Sequence, residues 1–340
     1  MKGILFTGIL FVWFAELNAQ ETGRPLDLHT FPLREEMKLI VEAAASHSSA
    51  KACFSTTRGE IWIVNNPLSE SSKFSDYGWQ RFANGLREPG QIIFRDAHSI
   101  VAQQSVETTR VTDRDKNGVA DEYLAVGAGE LPSGEVKTPF EGMIWMTNPE
   151  PAGPFKGQYF GGSRTANFLS RLGRVDDSLG SHSAMFVFQE ELVYPVDAII
   201  RMENGSWLIA QSNRSDPERT RTKFALQRAS WNKTEPFEVL SIRATEAGFH
   251  LSFTKKLLPD TAGAEWAYRI ESMEEKKESK ITSIKVEEDE MSVSLECSPV
   301  VPGMTYHISC NGVWSIDRDP VRNPAGLFVF EKPNSAFDSQ

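Results

Sequence analysis

The apolar residues of this chain come in short alternating runs, and this pattern restricts the fold more than any other feature of the sequence. Between Lys51 and Trp231 the runs are separated by Gly, Pro, Asn and Asp, and no helical stripe is longer than a couple of turns. One such run appears about every 8–12 residues, as in sandwiches, barrels and propellers. The sequence therefore predicts an all-β protein. The predicted strands include Lys51–Phe54, Glu60–Val64, Trp79–Ala83, Gln91–Phe94, Ser99–Ala102 and Glu107–Thr112.

A weak internal repeat favours the propeller among these architectures, because four-stranded units of about 40 residues each form one blade. The matched positions are Phe82, Leu86, Pro89 and Ile92-Ile93 in one copy, and Phe188, Leu192, Pro195 and Ile199-Ile200 in the other. The spacings from Phe to Leu and from Leu to Pro are the same in both copies. A chance match between two β-rich segments is the alternative. The pattern predicts about four blades, near residues 38–83, 89–126, 139–188 and 195–240.

The extreme N-terminus has the layout of a secretory signal peptide. Lys2 precedes an apolar run from Gly3 to Phe14, and the small residue Ala19 comes just before a more polar sequence. A buried core segment is the alternative. We predict a signal peptide over residues 1–19 and a secreted or periplasmic mature protein. No other run approaches the roughly 20 apolar residues of a membrane span, so we predict no transmembrane segment in the mature chain.

Composition excludes several classes of protein. Hydrophobic residues make up 40% of the 340 and the formal net charge is −10, so the chain affords a core but lacks the basic surface of a nucleic-acid-binding protein. The three cysteines form no CxxC or CxxCH motif, which argues against a structural zinc site and covalent haem.

The pattern changes after residue 237, where longer alternating segments are separated by a charged stretch, and this predicts a small β-sandwich over 238–333 with a tail at 334–340. The propeller would then occupy 20–237. Tyr306, after Pro302-Gly303, resembles the tyrosine corner of immunoglobulin-like domains, in which the phenol caps a backbone group. Cys297 and Cys310 face the predicted core on neighbouring strands. Two free thiols are favoured over a disulfide, because disulfide geometry is demanding.

The segment from Asp113 to Asp121, DRDKNGVAD, is the sharpest local motif. Oxygen ligands at alternate positions, with Gly at the sixth, can turn a loop around a hard cation. Leu124 stands where an EF-hand would place Glu, so a helix-loop-helix EF-hand is excluded. A polar Asn-Gly hairpin turn without metal is the alternative. We predict a structural calcium site whose ligands are the side chains of Asp113, Asp115, Asn117 and Asp121 and the carbonyl of Val119.

No catalytic motif stands out. The six histidines are scattered and form no HExxH pair, and the chain lacks a GxSxG elbow and a phosphate-binding P-loop. His98 and His182 fall in apparent turns, so ordinary surface residues are expected there, and His307 is expected to point outward. The charges around Arg164, Arg171, Arg174 and Asp176-Asp177 are explained equally well by a solvated strand edge.

Several stretches resemble a known family. WQRFANGL at 79–86, IVAQQSVETTRVTDRDKNGVADEY at 100–123, GPFKGQYFGG at 153–162, and the NGSWLIAQSN segment at 204–213 are similar to exported propellers related to pyrroloquinoline-quinone (PQQ)-dependent sugar dehydrogenases. Members of this family are often labelled membrane-bound dehydrogenase or haem-binding-associated domains. The resemblance implies a propeller fold, PQQ and calcium as cofactors, and oxidation of a sugar or alcohol.

The chain departs from the family pattern in the region where family members have their catalytic and cofactor-binding residues. After Tyr123 the chain continues LAVGAGELPSGEVKTPF, whereas family members have a His-Glu-containing stretch and further blades there. About two blades are missing by this comparison. No catalytic or PQQ-binding residue can therefore be carried over. We expect a shortened, catalytically degenerate propeller that acts as a calcium-stabilised binding or accessory module for carbohydrate or protein. The alternative is an active quinone-dependent sugar or alcohol oxidoreductase.

Overall fold

Regular structure in this protein is almost entirely β strand, which confirms the predicted all-β class. The computed structural model describes residues 23–48, 51–127, 138–146, 153–297 and 300–331. The predicted signal peptide and the predicted tail at 334–340 lie outside these ranges. Among the described residues, no helix has the length and apolar character needed to cross a membrane.

The N-terminal half begins with a single strand, β1 (Leu26–Thr30), and continues with two antiparallel meanders. Sheet 1 contains β2 (Val41–His47), β3 (Lys51–Thr56), β4 (Ile61–Val64) and β5 (Trp79–Ala83). Sheet 2 contains β6 (Gln91–Asp96), β7 (Ser99–Gln103), β8 (Thr108–Thr112) and β9 (Glu122–Gly127). The strands predicted between residues 51 and 112 are thus confirmed as β3 to β8.

Two further meanders follow. The first contains β10 (Met143–Trp145), β11 (Tyr159–Ser163), β12 (Leu169–Asp177) and β13 (Gly180–Gln189), and the second contains β14 (Val196–Arg201), β15 (Trp207–Ser212) and β16 (Phe224–Trp231). Strand β1 pairs antiparallel with β16 and completes this last sheet, sheet 4, in the order β14-β15-β16-β1.

The C-terminal part forms one more four-stranded sheet and extends an earlier one. Sheet 5 has the order β17-β18-β22-β21, formed by Val239–Thr245, Gly248–Phe253, Ser292–Glu296 and Ser283–Val286. The remaining strands are β19 (Arg269–Ser272), β20 (Lys277–Glu278), β23 (Thr305–Ser309) and β24 (Ala325–Glu331). The helical elements within the described residues are one helical turn, α1 (Pro259–Ala262), and the 3-10 turns Glu35–Met37, Phe74–Tyr77 and Glu265–Ala267.

Strand β24 pairs with β13, so the third meander and the C-terminal strands form one eight-stranded sheet, sheet 3, in the order β10-β11-β12-β13-β24-β23-β19-β20. Sheet 3 therefore carries strands from both sides of residue 237. The domain boundary at 237 stays a prediction, and continuous backbone hydrogen bonding joins the two parts that it separates.

Apolar cores lie between successive sheets and define their order in space. Phe82 and Ile92 pack between sheets 1 and 2, Phe54 and Leu208 between sheets 1 and 4, and the core around Phe160 lies between sheets 3 and 4. A larger cluster fills the space between sheets 3 and 5. The sheets are thus stacked in the order 2, 1, 4, 3, 5, because burial of one apolar face drives each sheet against its neighbour.

The first strands of the meanders lie side by side. Strand β2 contacts both β6 and β14, and β14 contacts β10 and β11. The repeat found in the sequence occupies equivalent places in this arrangement. Phe82 and Phe188 lie in the last strands of two meanders, and Ile92 and Ile199 lie in the first strands of the meanders that follow.

The predicted hydrogen bond of Tyr306 is confirmed. Its phenol oxygen accepts the backbone N–H of Val301 at 2.9 Å, and its ring packs edge-on against Phe249 in the core between sheets 3 and 5. Cys53, Cys297 and Cys310 are all free thiols. Burial raises the pKa of the half-buried Cys297 thiol to about 11, so the thiol stays protonated and unreactive near neutral pH.

Candidate functional site

The loop predicted to bind calcium connects β8 to β9 and is closed by its own hydrogen bonds. Asp113 is 3% exposed, and its two carboxylate oxygens accept the backbone N–H groups of Asn117 at 3.1 Å and Gly118 at 2.9 Å. The carboxylate of Asp113 therefore takes the place of a backbone acceptor at the turn, which is a common use of aspartate in loops.

The other predicted side-chain ligands lie around this turn. Asp115 accepts both the backbone N–H of Asn117 at 3.2 Å and its side-chain amide at 2.9 Å. The amide oxygen of Asn117 accepts the N–H of Val119 at 2.8 Å. Asp121 accepts the N–H of Arg114 at 3.0 Å at the far end of the loop. The structure thus joins Asp115 to Asn117, while Asp121 braces the beginning of the loop.

Glycine is required at position 118. Its φ of +91° lies in the left-handed region, and a β-carbon there would stand 1.9 Å from the side-chain nitrogen of Gln80 in sheet 1. The Gln80 amide also lies 3.4 Å from the Asn117 carbonyl oxygen, to which it donates. The loop is therefore held against the neighbouring sheet.

The donor set of the loop is only partly suited to a cation. Among the described residues, no group of three or more His, Cys, Asp and Glu side chains is close enough to hold a metal ion. A carboxylate has about four lone-pair sites, so the hydrogen bonds of Asp113 and Asp115 leave acceptor capacity for a hard cation. The side chain of His98 adds a further neighbour that the motif did not predict, with its Nδ1 3.8 Å from an oxygen of Asp113.

A second cluster of charged groups lies where the first strands of sheets 1 and 4 begin. Arg214, in the loop after β15, contacts Asp197 of β14 at 2.8 Å and Glu42 of β2 at 2.6 Å. Asp197 is buried, and its second oxygen has no hydrogen-bond partner among the described residues. Burial raises the pKa of Asp197 to about 6, although Arg214 opposes this shift.

Sequence reasoning missed this cluster because Glu42 is far from the other two residues along the chain. One signal was available. Asp197 interrupts the apolar strand VDAII, and a charged residue inside such a strand is seldom buried without a partner. A buried carboxylate with a pKa near neutrality can accept a proton, which makes this cluster the best candidate for acid-base chemistry in the described chain.

A third charged cluster is wholly internal, and here the sequence interpretation of Arg171 as a solvated strand-edge charge is wrong. Arg171 of β12 is fully buried, and its guanidinium lies between the rings of Phe155 and Phe186, 4.4 and 4.3 Å from their centroids. It donates to Glu238 at 3.1 Å and to the carbonyl of Val239.

Glu238 completes this network. Its other carboxylate oxygen lies 2.7 Å from Arg322, which also donates to the carbonyl of Phe188. Gln158 accepts a further hydrogen bond from Arg171 at 3.1 Å. The network joins β12 and β13 to the start of β17, so we assign it to the packing of sheet 5 on sheet 3.

The expectation for His182 is also wrong. His182 is 1% exposed on β13 and packs against the rings of Phe328 and Phe330. Neither ring nitrogen has a hydrogen-bond partner among the described residues, and burial lowers the pKa of the ring. His182 is therefore a core residue that burial holds neutral, although the carboxylate of Asp177 lies 3.7 Å from its Nδ1 and opposes this shift in pKa.

Strand β9 differs from the outer strand of the third meander. Strand β13 is covered along its edge by β24, whereas no strand in the described ranges pairs with the outer edge of β9. Tyr123, Leu124 and Val126 of β9 are exposed, as is Ile93 of β6. Exposed apolar side chains on an open strand edge are typical of a surface that binds another chain.

No family model and no curated protein matches the chain. Among solved structures, a Thermus thermophilus protein that carries the name oxidoreductase (glucose dehydrogenase) is similar at 11% identity and a TM-score of 0.31, over 60% of this chain and 100% of that one. The N-terminal part of the bacterial S-layer protein SbsC is similar at 21% identity and a TM-score of 0.27, over 29% of this chain and 24% of that one. The extracellular domain of a hybrid two-component system from B. thetaiotaomicron is similar at 9% identity and a TM-score of 0.18, over 86% of this chain and 44% of that one. Likenesses of this size carry no argument about family or activity, so any function rests on the chain's own residues.

Proposed function

We propose that the chain is an exported, catalytically degenerate β-propeller protein with a C-terminal immunoglobulin-like sandwich, which acts as a binding or accessory module for carbohydrate or protein. The four blades are sheets 1, 2 and 4 and the first four strands of sheet 3. Their order in the chain, their adjacent first strands and the completion of sheet 4 by β1 support this assignment. The sandwich consists of sheet 5 and the last strands of sheet 3, and the hydrogen bond of Tyr306 supports it.

The exposed apolar strand β9 carries the proposal of a binding role. In the stack of sheets, sheet 2 stands at one end, and within the described ranges sheet 1 is the sheet that packs against it. A further blade would cover the exposed side chains of Ile93 and Leu124, which lie in one cross-strand row with Val101 and Arg110. A shortened propeller therefore presents to a partner a surface that a longer ring would bury.

The partner surface is tested by photo-cross-linking in the exporting cell. A photoreactive residue replaces Leu124, and the same residue at exposed Lys285 of sheet 5 is the control. We expect an adduct that is specific to position 124. The purified partner should bind the wild-type protein at least tenfold more tightly than the Leu124→Glu variant, a loss of about 1.4 kcal/mol. Equal binding of both proteins would contradict the proposal.

The Asp113–Asp121 loop is proposed to bind calcium as a structural ion. Asp113, Asp115, Asn117 and Asp121 would supply side-chain oxygens and Val119 its carbonyl, and the ion would offset the repulsion between carboxylates. Calcium should raise the melting temperature of the wild-type protein and leave that of Asp115→Ala unchanged. The proposal fails if calcium moves neither melting temperature, or moves both equally.

The second candidate is a quinone-dependent sugar or alcohol oxidoreductase, and one buried carboxylate could take part in its acid-base chemistry. Asp197 has a pKa near neutrality and a carboxylate oxygen without a partner among the described residues. The surroundings do not fit PQQ, because a group with three carboxylates needs free cations and Arg214 is already bound by Asp197 and Glu42. Dye reduction with PQQ, calcium and a panel of sugars tests this directly, and turnover lost in Asp197→Asn would replace the binding proposal.

A further inference from the structure

Two tryptophans at one end of the sandwich are exposed, although tryptophan usually buries most of its surface. Trp266 is 70% exposed and Trp314 is 37% exposed, and Ile316 beside them is 55% exposed. Isolated apolar side chains on a surface are ordinary, but a contiguous set that includes two indoles marks a contact site.

These side chains form a row. Val313 and Ser315 are fully buried, whereas Trp314 and Ile316 are exposed on either side of Ser315. Trp314 and Ser315 form isolated β-bridges, and Gly312 and Ile316 lie in the turns that flank them. Trp266 lies on Gly312, where a β-carbon would stand 2.3 Å from its ring. The ring of Trp266 therefore lies against the backbone two residues before Trp314.

Both indoles are carried on backbone that is fixed before any ligand arrives. Trp314 donates its backbone N–H to the hydroxyl of Thr261 at 3.1 Å, and its carbonyl accepts the N–H of Leu258 at 2.8 Å. Trp266 sits in the 3-10 turn Glu265–Ala267, and Gly312 leaves room for its ring. Rigid aromatic groups lose little conformational entropy on binding, so they suit a ligand that offers few contacts.

The surrounding groups define the ligand's chemistry. The exposed residues next to the row in sequence are Glu265, Asn311 and Asp317. Carboxylate and amide oxygens accept hydrogen bonds from hydroxyl groups. The exposed Arg318 follows Asp317, so the charge of this surface is mixed and does not select a charged ligand. An aromatic ring offers its electron-rich face to the C–H groups on one side of an uncharged sugar ring.

The size of the row argues against a protein partner at this place. An exposed tryptophan of this kind offers at most about 150–250 Å², so the three side chains together present on the order of 300–400 Å². A stable protein interface needs about 800 Å² from each partner. A row one side chain wide instead fits an extended chain of sugar rings.

We propose that Trp266, Trp314 and Ile316 form a binding platform for a neutral oligosaccharide, with Glu265, Asn311 and Asp317 accepting hydrogen bonds from its hydroxyl groups. This inference rests on the proposed binding function and names the ligand class of the sandwich. It is independent of the β9 surface, which lies on sheet 2.

Calorimetric titration of the purified chain with neutral hexasaccharides (cellohexaose, xylohexaose, mannohexaose, maltohexaose and chitohexaose) tests the platform. We expect at least one to bind, and about tenfold weaker binding in Trp266→Ala and in Trp314→Ala. Val106→Ala, which removes an exposed apolar side chain outside both proposed surfaces, should bind the sugar as the wild type does. Unchanged melting temperatures would show that the variants are folded, as the exposure of both indoles predicts.

The platform is overturned if no hexasaccharide binds, or if sugar binding survives in the Trp266→Ala/Trp314→Ala double variant. Binding to phosphatidylcholine vesicles that is lost with the two indoles, without sugar binding, would assign the row to a membrane surface and equally overturn the inference. Loss of sugar binding with intact partner binding at Leu124 would leave the proposed function standing.

Discussion

The loop at Asp113–Asp121 and the network around Arg171 are both built from charged side chains, but they are used in opposite ways. The loop is local, lies near the surface and closes on its own backbone. The network joins residues far apart in sequence, buries Arg171 and Glu238 completely and stacks the Arg171 guanidinium between two rings. A short motif can therefore be recognised in the sequence, whereas a buried network is visible only when the strands that carry it have been paired.

The largest effect is expected when the buried network is broken. Arg171→Met leaves Glu238 with Arg322 alone in a dry environment and should lower the free energy of unfolding by about 3–5 kcal/mol. Arg174→Met, three residues along the same strand and partly exposed, should cost less than about 0.5 kcal/mol. Urea unfolding measures both. Similar losses of stability in the two variants would contradict the assignment of the larger cost to the burial of Arg171.

The cluster of Arg214, Asp197 and Glu42 should make the free energy of unfolding depend on pH. Folding raises the pKa of Asp197 from 3.8 to about 6, so the folded chain binds more protons than the unfolded chain between these pH values. Its contribution to stability is therefore present below pH 4 and is lost as the pH rises through 6, an effect of about 3 kcal/mol at most. Asp197→Asn should remove this slope from a series of urea titrations, and Asp317→Asn should retain it. A slope that survives in Asp197→Asn would assign it to another group.

Within the loop, two aspartates of the same motif should differ in how much they contribute to the free energy of unfolding. Asp113→Ala removes the buried acceptor of two backbone N–H groups and should cost about 2 kcal/mol in calcium-free buffer. Asp115→Ala removes an exposed acceptor and should cost about 0.5 kcal/mol. Thermal or urea unfolding with a chelator present gives both values. The closure of the loop by Asp113 would be contradicted by equal losses.

The smallest effect concerns His182, a polar ring in an apolar core. Burial lowers its pKa below the ordinary value of 6.5, so its neutral form stabilises the fold above that pH and this contribution is lost as the pH falls through the lowered pKa. His182→Leu should raise the free energy of unfolding by about 1 kcal/mol and should reduce the stability that is lost in acid. His47→Leu, at a half-buried site on β2, is the control and should leave the acid profile as it is in the wild type. Identical acid profiles for wild type and His182→Leu would refute this role.

Local patterns predicted the strands from Lys51 to Thr112, the placement of the repeat and the hydrogen bond of Tyr306, because each depends on neighbours within a few residues. The pairing of β13 with β24 was not predictable in this way. These strands are more than 130 residues apart, and alternation alone does not choose a partner. The same pairing buries His182, so its misassignment to a surface turn followed from the missing partner strand.

The candidate sites also differ in whether local sequence or distant pairing determines them. The loop could be located from spacing, although its occupancy by calcium remains a prediction. Asp197 and Arg171 stand in strands at positions where their burial depends on a neighbouring sheet, and sequence patterns contain no information on which sheet that is. The aromatic row became visible only when Gly312 was placed beneath Trp266.

The pairing of β1 with β16 has a consequence for the order in which the protein folds. Leu26 lies opposite Trp231. Sheet 4 therefore cannot form completely until β16 has been brought back to β1 across roughly 200 residues of chain. Contacts of such long range are slow to form, because loop closure must come before any gain in free energy. The apolar side of β1 is exposed until then, and the last step of folding should be the docking of the first strand of the chain.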